Sequence, residues 1–395
     1  MLSQSMKEVV ANSSAIRAMF EDGIRLAKIH GAENIFDFSL GNPNVNPPDE
    51  IKKAIEDCVA YENPVFLHGY MVNAGYSDVR EKIARSLNAR HGTDYNENNI
   101  MMTVGAAGAI NVAFKSILNP GDEVIVFAPF FGEYRWYIKN FNAEIKIIPN
   151  TSESFLPDLE KMESALSPRT KALMINSPNN PSGAVYDEKT LTELAAILSN
   201  HQKKIGCSVY LISDEPYREI VYDGVTVPFT AKYYSNTFTA YSFSKSLSLP
   251  GERIGYLTVP SQLDGYSEIW PALATANRIL GFVNGPSLFQ RIAAVCAELT
   301  VDISVYKNNR DVLYDALTSF GCECFKPMGT FYMLPKSPIE DEAAFCEAAK
   351  RYRLIIVPGW AFGAPGYFRI AYCVKKETVM NSLDSFERLM REFRK

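Results

Sequence analysis

NIMMTVGAAGAINVAFKSILNPGDEVIVFAP, residues 99–129, sets the pattern for the middle of the chain. IMMTV is an apolar run fitting a buried strand, AAGAINVAFKSIL has apolar residues at helical spacing and stops at NPGD, and EVIVFAP is a second buried strand. Strand, helix and strand in that order build parallel pairs, because a crossover helix carries the chain back to the same end of the sheet. The alternation continues to about residue 260 through TKALMIN (170–176), CSVYLIS (207–213), TFTAYS (237–242) and RIGYLTVP (253–260), with TLTELAAILSNHQKK (190–204) as an amphipathic helix. The fold class expected is α/β, a mostly parallel sheet sandwiched by helices.

Outward from this unit the character changes. A long helical stretch at 286–319 precedes short strands around GTFYML, LIIVPG and YFRIAYC, and a terminal helix at 376–394, which read as a smaller α+β domain. At the other end SSAIRAMFEDGIRLAKIHG (13–31) is helical and leads into GNPNVNPP (41–48). The expected division is 1–45 packing with the small domain, 46–285 as the large domain, and 286–395 as the small one.

A chain of 395 residues exceeds the usual size of one hydrophobic core, and 47% hydrophobic with 12% aromatic residues fits a soluble globular protein. The net charge of −5 with scattered Lys and Arg argues against nucleic acid as a partner. MLSQSMKEVV lacks a signal-peptide core, and no run nears the roughly 18 apolar residues of a membrane span, so a cytoplasmic protein is expected. The seven cysteines contain no CxxC, so reduced thiols and no metal site are expected.

Ligands of open parallel sheets gather beyond the carboxyl ends of the strands. There this sequence places, in turn, Gly105-Ala106-Ala107-Gly108, Phe130-Phe131, SPNNPSG (177–183), Asp214-Glu215-Pro216-Tyr217 and Phe243-Ser244-Lys245. Singly each has an ordinary explanation: a tight turn, a helix cap, a surface charge, or for Arg253 half of an ion pair. Five such features closing five strands fit a small phosphorylated aromatic cofactor instead. N–H groups at the helix start after Gly105 would hold the phosphate, with Ser242, Ser244 and the planar fork of Arg253 completing the cup. Phe131 could stack on the ring. Lys245, partly uncharged, could bond the cofactor's aldehyde, Asp214 could keep a pyridine nitrogen protonated, and Tyr217 and Asn180 could hold the ring's 3-oxygen.

NSPNNPSG (176–183), SDEPY (213–217), SFSKSLSLPGERIG (242–255) and FRIAYC (368–373) together resemble the pyridoxal-phosphate-dependent aminotransferases of fold type I, class I/II, the aspartate aminotransferase-like group, over nearly the whole chain. The resemblance implies that Lys245 is the Schiff-base lysine and proton shuttle, Asp214 the pyridinium partner, and Tyr217 and Asn180 the 3-oxygen ligands. Ala106, Ala107, Ser242, Ser244 and Arg253 are then the phosphate cup, and Phe131 the stacking aromatic. Arg369 corresponds to the arginine for the substrate α-carboxylate, with an interdomain ion pair as its alternative, and Gly41 to a backbone donor to the same group, with Asn180 beside them. Tyr70, in HGYMVNAGYSDVR, has the spacing of a tyrosine reaching the phosphate of a neighbouring subunit, which implies a homodimer. His68 and Tyr76 are given packing roles.

The activity implied is transfer of an amino group between an L-amino acid and a 2-oxo acid by a ping-pong mechanism. A carbon-sulfur β-lyase uses the same lysine, aspartate and arginine, but DEPY leans toward transfer. A non-catalytic regulator binding the same cofactor would need an appended DNA-binding domain, and a dehydrogenase a dinucleotide fingerprint absent here. Ala107 stands where some aspartate-specific relatives have a lysine; Arg278, in TANRILGFVNGP, is either the alternative cation for a distal carboxylate or a helix-surface arginine. Aromatic and aliphatic substrates stay open.

Overall fold

The structure, a computed structural model, describes residues 2–11 and 15–393. Ser13 and Ser14 of the expected N-terminal helix, and Arg394 of the terminal one, lie outside the described residues; the helices run Gln4–Ala11, Ala15–His30 and Lys376–Phe393.

Among the described residues the centre is a seven-stranded sheet built from β1 (Ile100–Thr103), β2 (Glu123–Phe127), β3 (Glu144–Ile148), β4 (Thr170–Asn176), β5 (Tyr210–Asp214), β6 (Thr237–Ser242) and β7 (Gly255–Thr258). Their order across the sheet is β1-β7-β6-β5-β4-β2-β3. Pairings β3·β2, β2·β4, β4·β5 and β5·β6 are parallel, while β7 lies antiparallel to both β6 and β1. The sheet is thus mostly parallel with one reversed strand. RIGYLTVP is that strand, reached from β6 through the one-turn helix Phe243–Ser246 and the turn at Pro250–Glu252 rather than by a long helical crossover. β3, EIKII, was not among the strands read from the sequence; it lies at the sheet's edge and is only partly buried.

Helices cover both faces because each buries an apolar stripe. Gly105–Ile117 and Tyr266–Ile279 share one core with the sheet, and Glu188–Ile205 and Leu159–Ala165 share another on the opposite face. Phe38 packs with residues of the 301–390 region and with Tyr217, Ile220 and Tyr222 in a separate core, and Phe36–Asp37 pairs in parallel with Leu354–Ile355. The helical stretch expected at 286–319 is two helices, Ser287–Val295 and Ser304–Ser319. The break has a local cause: Asp302 turns its carboxylate onto the N–H of Ser304 (2.9 Å), and the N–H of Val301 goes to the carbonyl of Ser246 (2.8 Å), beside Lys245.

Register aligns the site. Asn176 pairs with Asp214, Asp214 with Ala240, and Ser242 with Gly255, so the carboxyl ends of β4, β5 and β6 open at one level.

Candidate active site

A cavity of about 280 Å³ lies at those strand ends, and its walls include Lys245, Asp214, Arg369, Asn180, Tyr217 and Arg253. Gly41, Ala106, Ala107, Phe131, Ser242 and Ser244 line it as well. Of the site residues read from the sequence, Tyr70 is outside: it is 93% exposed, on a surface groove with His68, Phe282 and Val283.

Lys245 sits on the one-turn helix Phe243–Ser246 that follows β6, capped by Ser242, whose hydroxyl accepts from the N–H of Ser244 (3.2 Å). Its Nζ donates to the carbonyl of Gly41 (2.8 Å), so Gly41 enters this arrangement through its oxygen. A Cβ on Gly41 would fall 1.7 Å from the Tyr332 hydroxyl, so only glycine lets the 40–42 turn lie there. Burial disfavours the ammonium, and Arg253 and Arg369 add repulsion, taking Lys245 down to about 8.

Asp214 ends β5. Its Oδ2 accepts a short hydrogen bond from the Tyr134 hydroxyl, and its Oδ1 is buried with no partner among the described residues. Burial raises its carboxyl to about 7, the charge of Glu215 pushes the same way, and the Tyr134 hydrogen bond opposes them. Asn176 braces this strand end: its Nδ2 donates to the Asp214 carbonyl (2.8 Å) and its Oδ1 accepts from the N–H of Asn180 (2.7 Å).

Arg369, on the strand Phe368–Ala371, is 1% exposed. Its guanidinium lies between the rings of Tyr332 (4.6 Å) and Phe362 (4.5 Å), and donates to the Ser39 carbonyl (2.5 Å) and to Asn180 Oδ1 (3.3 Å). Nε finds no partner, and among the described residues Arg369 makes no salt bridge, which removes the interdomain ion pair as its explanation. A buried, uncompensated cation is costly unless an anion arrives, so this geometry suits an anion. Tyr217 donates its hydroxyl to that of Tyr332 (3.2 Å).

The far end has the donors that would suit a dianion. Helix Gly105–Ile117 presents its first N–H groups at Gly105, Ala106 and Ala107. Gly105 has φ +78°, and a Cβ there would approach Arg253 Nη2 to 3.0 Å and Ser242 Oγ to 3.4 Å, which shows how closely guanidinium, hydroxyl and helix start converge. The hydroxyls of Ser242 and Ser244 lie 2.7 Å apart, and Arg253 is steadied by the Pro250 carbonyl (2.9 Å). Phe131 meets Tyr134 edge to face at 5.6 Å. A phosphate cup, an orphaned carboxylate oxygen and a lysine within one cavity fit a phosphorylated pyridine aldehyde.

Tyr134, Asn176 and Tyr332 escaped the sequence reading as site residues. Asn176 opens the NSPNNPSG motif, whereas nothing in the sequence separates Tyr134 and Tyr332 from core aromatics. Tyr76 does pack, its hydroxyl meeting the Phe66 carbonyl (2.5 Å) and Ser287 Oγ (2.8 Å). Arg278 is exposed at the end of helix Tyr266–Ile279 and does not line the cavity.

The model of the family described as aminotransferase class I and II matches residues 33–386. The chain is 31% identical over 357 residues to a probable aspartate/prephenate aminotransferase of Thermus aquaticus, covering 88% of this chain and 89% of that one. Among solved structures it is similar to an amino transferase from Eubacterium rectale (TM-score 0.97, 44% identity, all of both chains). It is also similar to the aspartate aminotransferase of Thermus thermophilus with maleate (TM-score 0.87, 27% identity, 98% of this chain and 100% of that one).

Proposed function

The chain belongs to the aminotransferase class I and II family and is an aminotransferase, and on that premise we propose that it works with pyridoxal 5'-phosphate held by the residues of the cavity. Ala106, Ala107, Ser242, Ser244 and Arg253 would hold the phosphate, Phe131 the ring face, Asn180 and Tyr217 the 3-oxygen, and Asp214 the ring nitrogen. When bound, the cofactor supplies an aldehyde to carry the amino group and a protonated ring that draws electrons from the carbon losing its proton. Arg369 binds the substrate α-carboxylate by its fork, with Asn180 and Gly41 beside it, and thereby orients the α-C–H bond. Lys245 Nζ, its proton affinity lowered, takes that α-proton and returns one in reprotonation. Because one site serves donor and acceptor in turn, the kinetics are ping-pong.

The observation that carries this reading is Arg369: a buried guanidinium without a carboxylate partner, lining the same cavity as Lys245. The relatives reported above are named aminotransferases, which supports transfer over carbon-sulfur cleavage. The substrates proposed are an L-amino acid and a 2-oxo acid. Among the described residues the cations lining the cavity are Lys245, Arg253 and Arg369, each already in use. For a distal carboxylate, Arg278 delivered across a dimer is the candidate cation, with a helix-surface role as its alternative.

A homodimer with a shared site is proposed on exposed apolar side chains clustered in sequence: Tyr61, Val65, Phe66, Tyr70 and Val72. Tyr70 would reach the phosphate of the neighbouring subunit. The proposed division into 1–45, 46–285 and 286–395 is supported by the separate core around Phe38, whereas helix Ser287–Val295 packs onto helices Asp49–Tyr61 and Ser77–His91 and so sits with the large domain, which argues for a boundary after that helix. No helix of the described residues is long and apolar enough to cross a membrane, and the seven free cysteines support a reducing compartment such as the cytoplasm.

The test mixes holoenzyme with single amino acids in the absence of any acceptor. The expected result is one 2-oxo acid released per site and no ammonia; continuous release of pyruvate with ammonia would mean a lyase. Run on Arg278→Ala, the same panel should lose aspartate and glutamate selectively if Arg278 meets a distal carboxylate.

A further inference from the structure

Residues 69–74 run between the short helix Pro64–His68 and the helix Ser77–His91, and none of them belongs to a helix or strand. Backbone carbonyls in such a segment lack the partners a helix or sheet would give, although that of Val72 also accepts from the N–H of Gly75 (2.8 Å). Two asparagine side chains supply them. Asn284 Nδ2 donates to the carbonyls of Met71 (3.3 Å) and Val72 (2.9 Å), and Asn277 Nδ2 donates to that of Asn73 (3.0 Å). Three consecutive carbonyls just after Tyr70 are thereby met.

The connection is returned. Asn73 Nδ2 donates to the Val283 carbonyl (3.0 Å), while the N–H of Val283, a residue at φ +63°, goes to the Asn277 carbonyl (3.1 Å). Asn277 is wholly buried, and with its Oδ1 unpartnered among the described residues its amide is held through Nδ2 and by packing. On the other side of Tyr70 the Ser287 hydroxyl bonds the Leu67 carbonyl, and beyond Asn73 Gln290 Oε1 accepts from the N–H of Tyr76 (3.1 Å). Amides set both distance and plane, whereas apolar contacts would let so exposed a loop slide.

We propose that Asn73, Asn277 and Asn284 form a side-chain clasp that fixes the reach of Tyr70, making them positioning residues for the cofactor phosphate in the neighbouring subunit. This rests on the shared-site reading given above. The 277–284 segment then contributes to cofactor retention in a site it does not line in its own subunit.

The test follows loss of pyridoxal phosphate from diluted holoenzyme, together with the melting temperature of the cofactor-free protein and its dimer fraction by sedimentation. Tyr70→Phe removes a hydrogen bond to a charged group and should weaken retention about tenfold to a hundredfold. Asn284→Ala should weaken it about tenfold, with cofactor-free melting and dimer fraction unchanged. The double variant should be within about twofold of Tyr70→Phe alone, since both changes act through one contact. Additive losses, unchanged retention in Asn284→Ala, or a fall in cofactor-free melting that accompanies the loss would each overturn the clasp while leaving Tyr70 in its role. Unchanged retention in Tyr70→Phe would instead sink the shared-site reading. Should Asn284→Ala fail to fold, Asn73→Ala is measured against the same outcomes.

Discussion

At the scale of single residues, the site is a set of groups left in costly states. Arg369 is buried without a counter-charge, Asp214 is half protonated near neutrality with one oxygen unpartnered, and Lys245 is partly uncharged. Each cost falls when a ligand of complementary charge arrives: a carboxylate at Arg369, a cationic ring nitrogen at Asp214. The lysine offers a direct check. In the cofactor-free enzyme Lys245 should react with an amine-directed reagent with a midpoint near pH 8, against 10.5 for an ordinary lysine. Arg369→Leu, which removes a repelling cation, should move that midpoint upward, and a parent midpoint in the ordinary lysine range would show that burial does not tune the amine. Its folded value lies below its unfolded one, so the unfolded chain holds more protons between the two and Lys245 favours folding increasingly as pH rises through that window. Lys245, Asp214 and Asn180 were legible in the sequence because charged or amide side chains soon after apolar strands stand out, and Arg253 through its fixed place in SFSKSLSLPGERIG. Tyr134 and Tyr332 were not, because in a chain with 44 Phe and Tyr residues only the position of a hydroxyl separates a site residue from a core one.

At the scale of elements, the helix Gly105–Ile117 shows how local geometry makes a site. Its first residue has a left-handed φ of +78°, and the space a side chain would take is bordered by Arg253 and Ser242. Gly105→Ala should therefore both strain the turn, by roughly 1 kcal/mol or more, and press on the phosphate cup. The expected outcome is cofactor affinity lowered at least about tenfold in a titration, with only a modest fall in melting temperature; affinity equal to the parent's would show that this turn does not shape the cup. The strands came through in the sequence because buried strands are continuous apolar runs. Direction did not: β7 is as fully buried as the inner parallel strands of the sheet, and its reversal depends on a turn rather than on its own composition. The edge strand β3 was hidden for the opposite reason, since EIKII faces solvent in part and lacks the uniform apolar character of the inner strands.

At the scale of the whole molecule, the N-terminal strand Phe36–Asp37 beside Leu354–Ile355, with Gly41 and Arg369 in one cavity, shows chain ends folded back over the sheet to close the site. Arg369 and Gly41 are 328 positions apart in the sequence, the difference of their residue numbers, so their meeting is a property of topology that composition and periodicity do not carry. Only the family resemblance put them together beforehand. In the dimer proposed above, the exposed apolar side chains between Tyr61 and Val72 would extend the same point beyond one chain, since clusters of this kind mark interaction surfaces. The central claim is that Lys245 is the amine joined to the cofactor. Borohydride reduction of the holoenzyme followed by peptide mass spectrometry tests it most directly: the reduced cofactor should be found on the peptide carrying Lys245 and at that residue. An adduct at another lysine, or none, would contradict it.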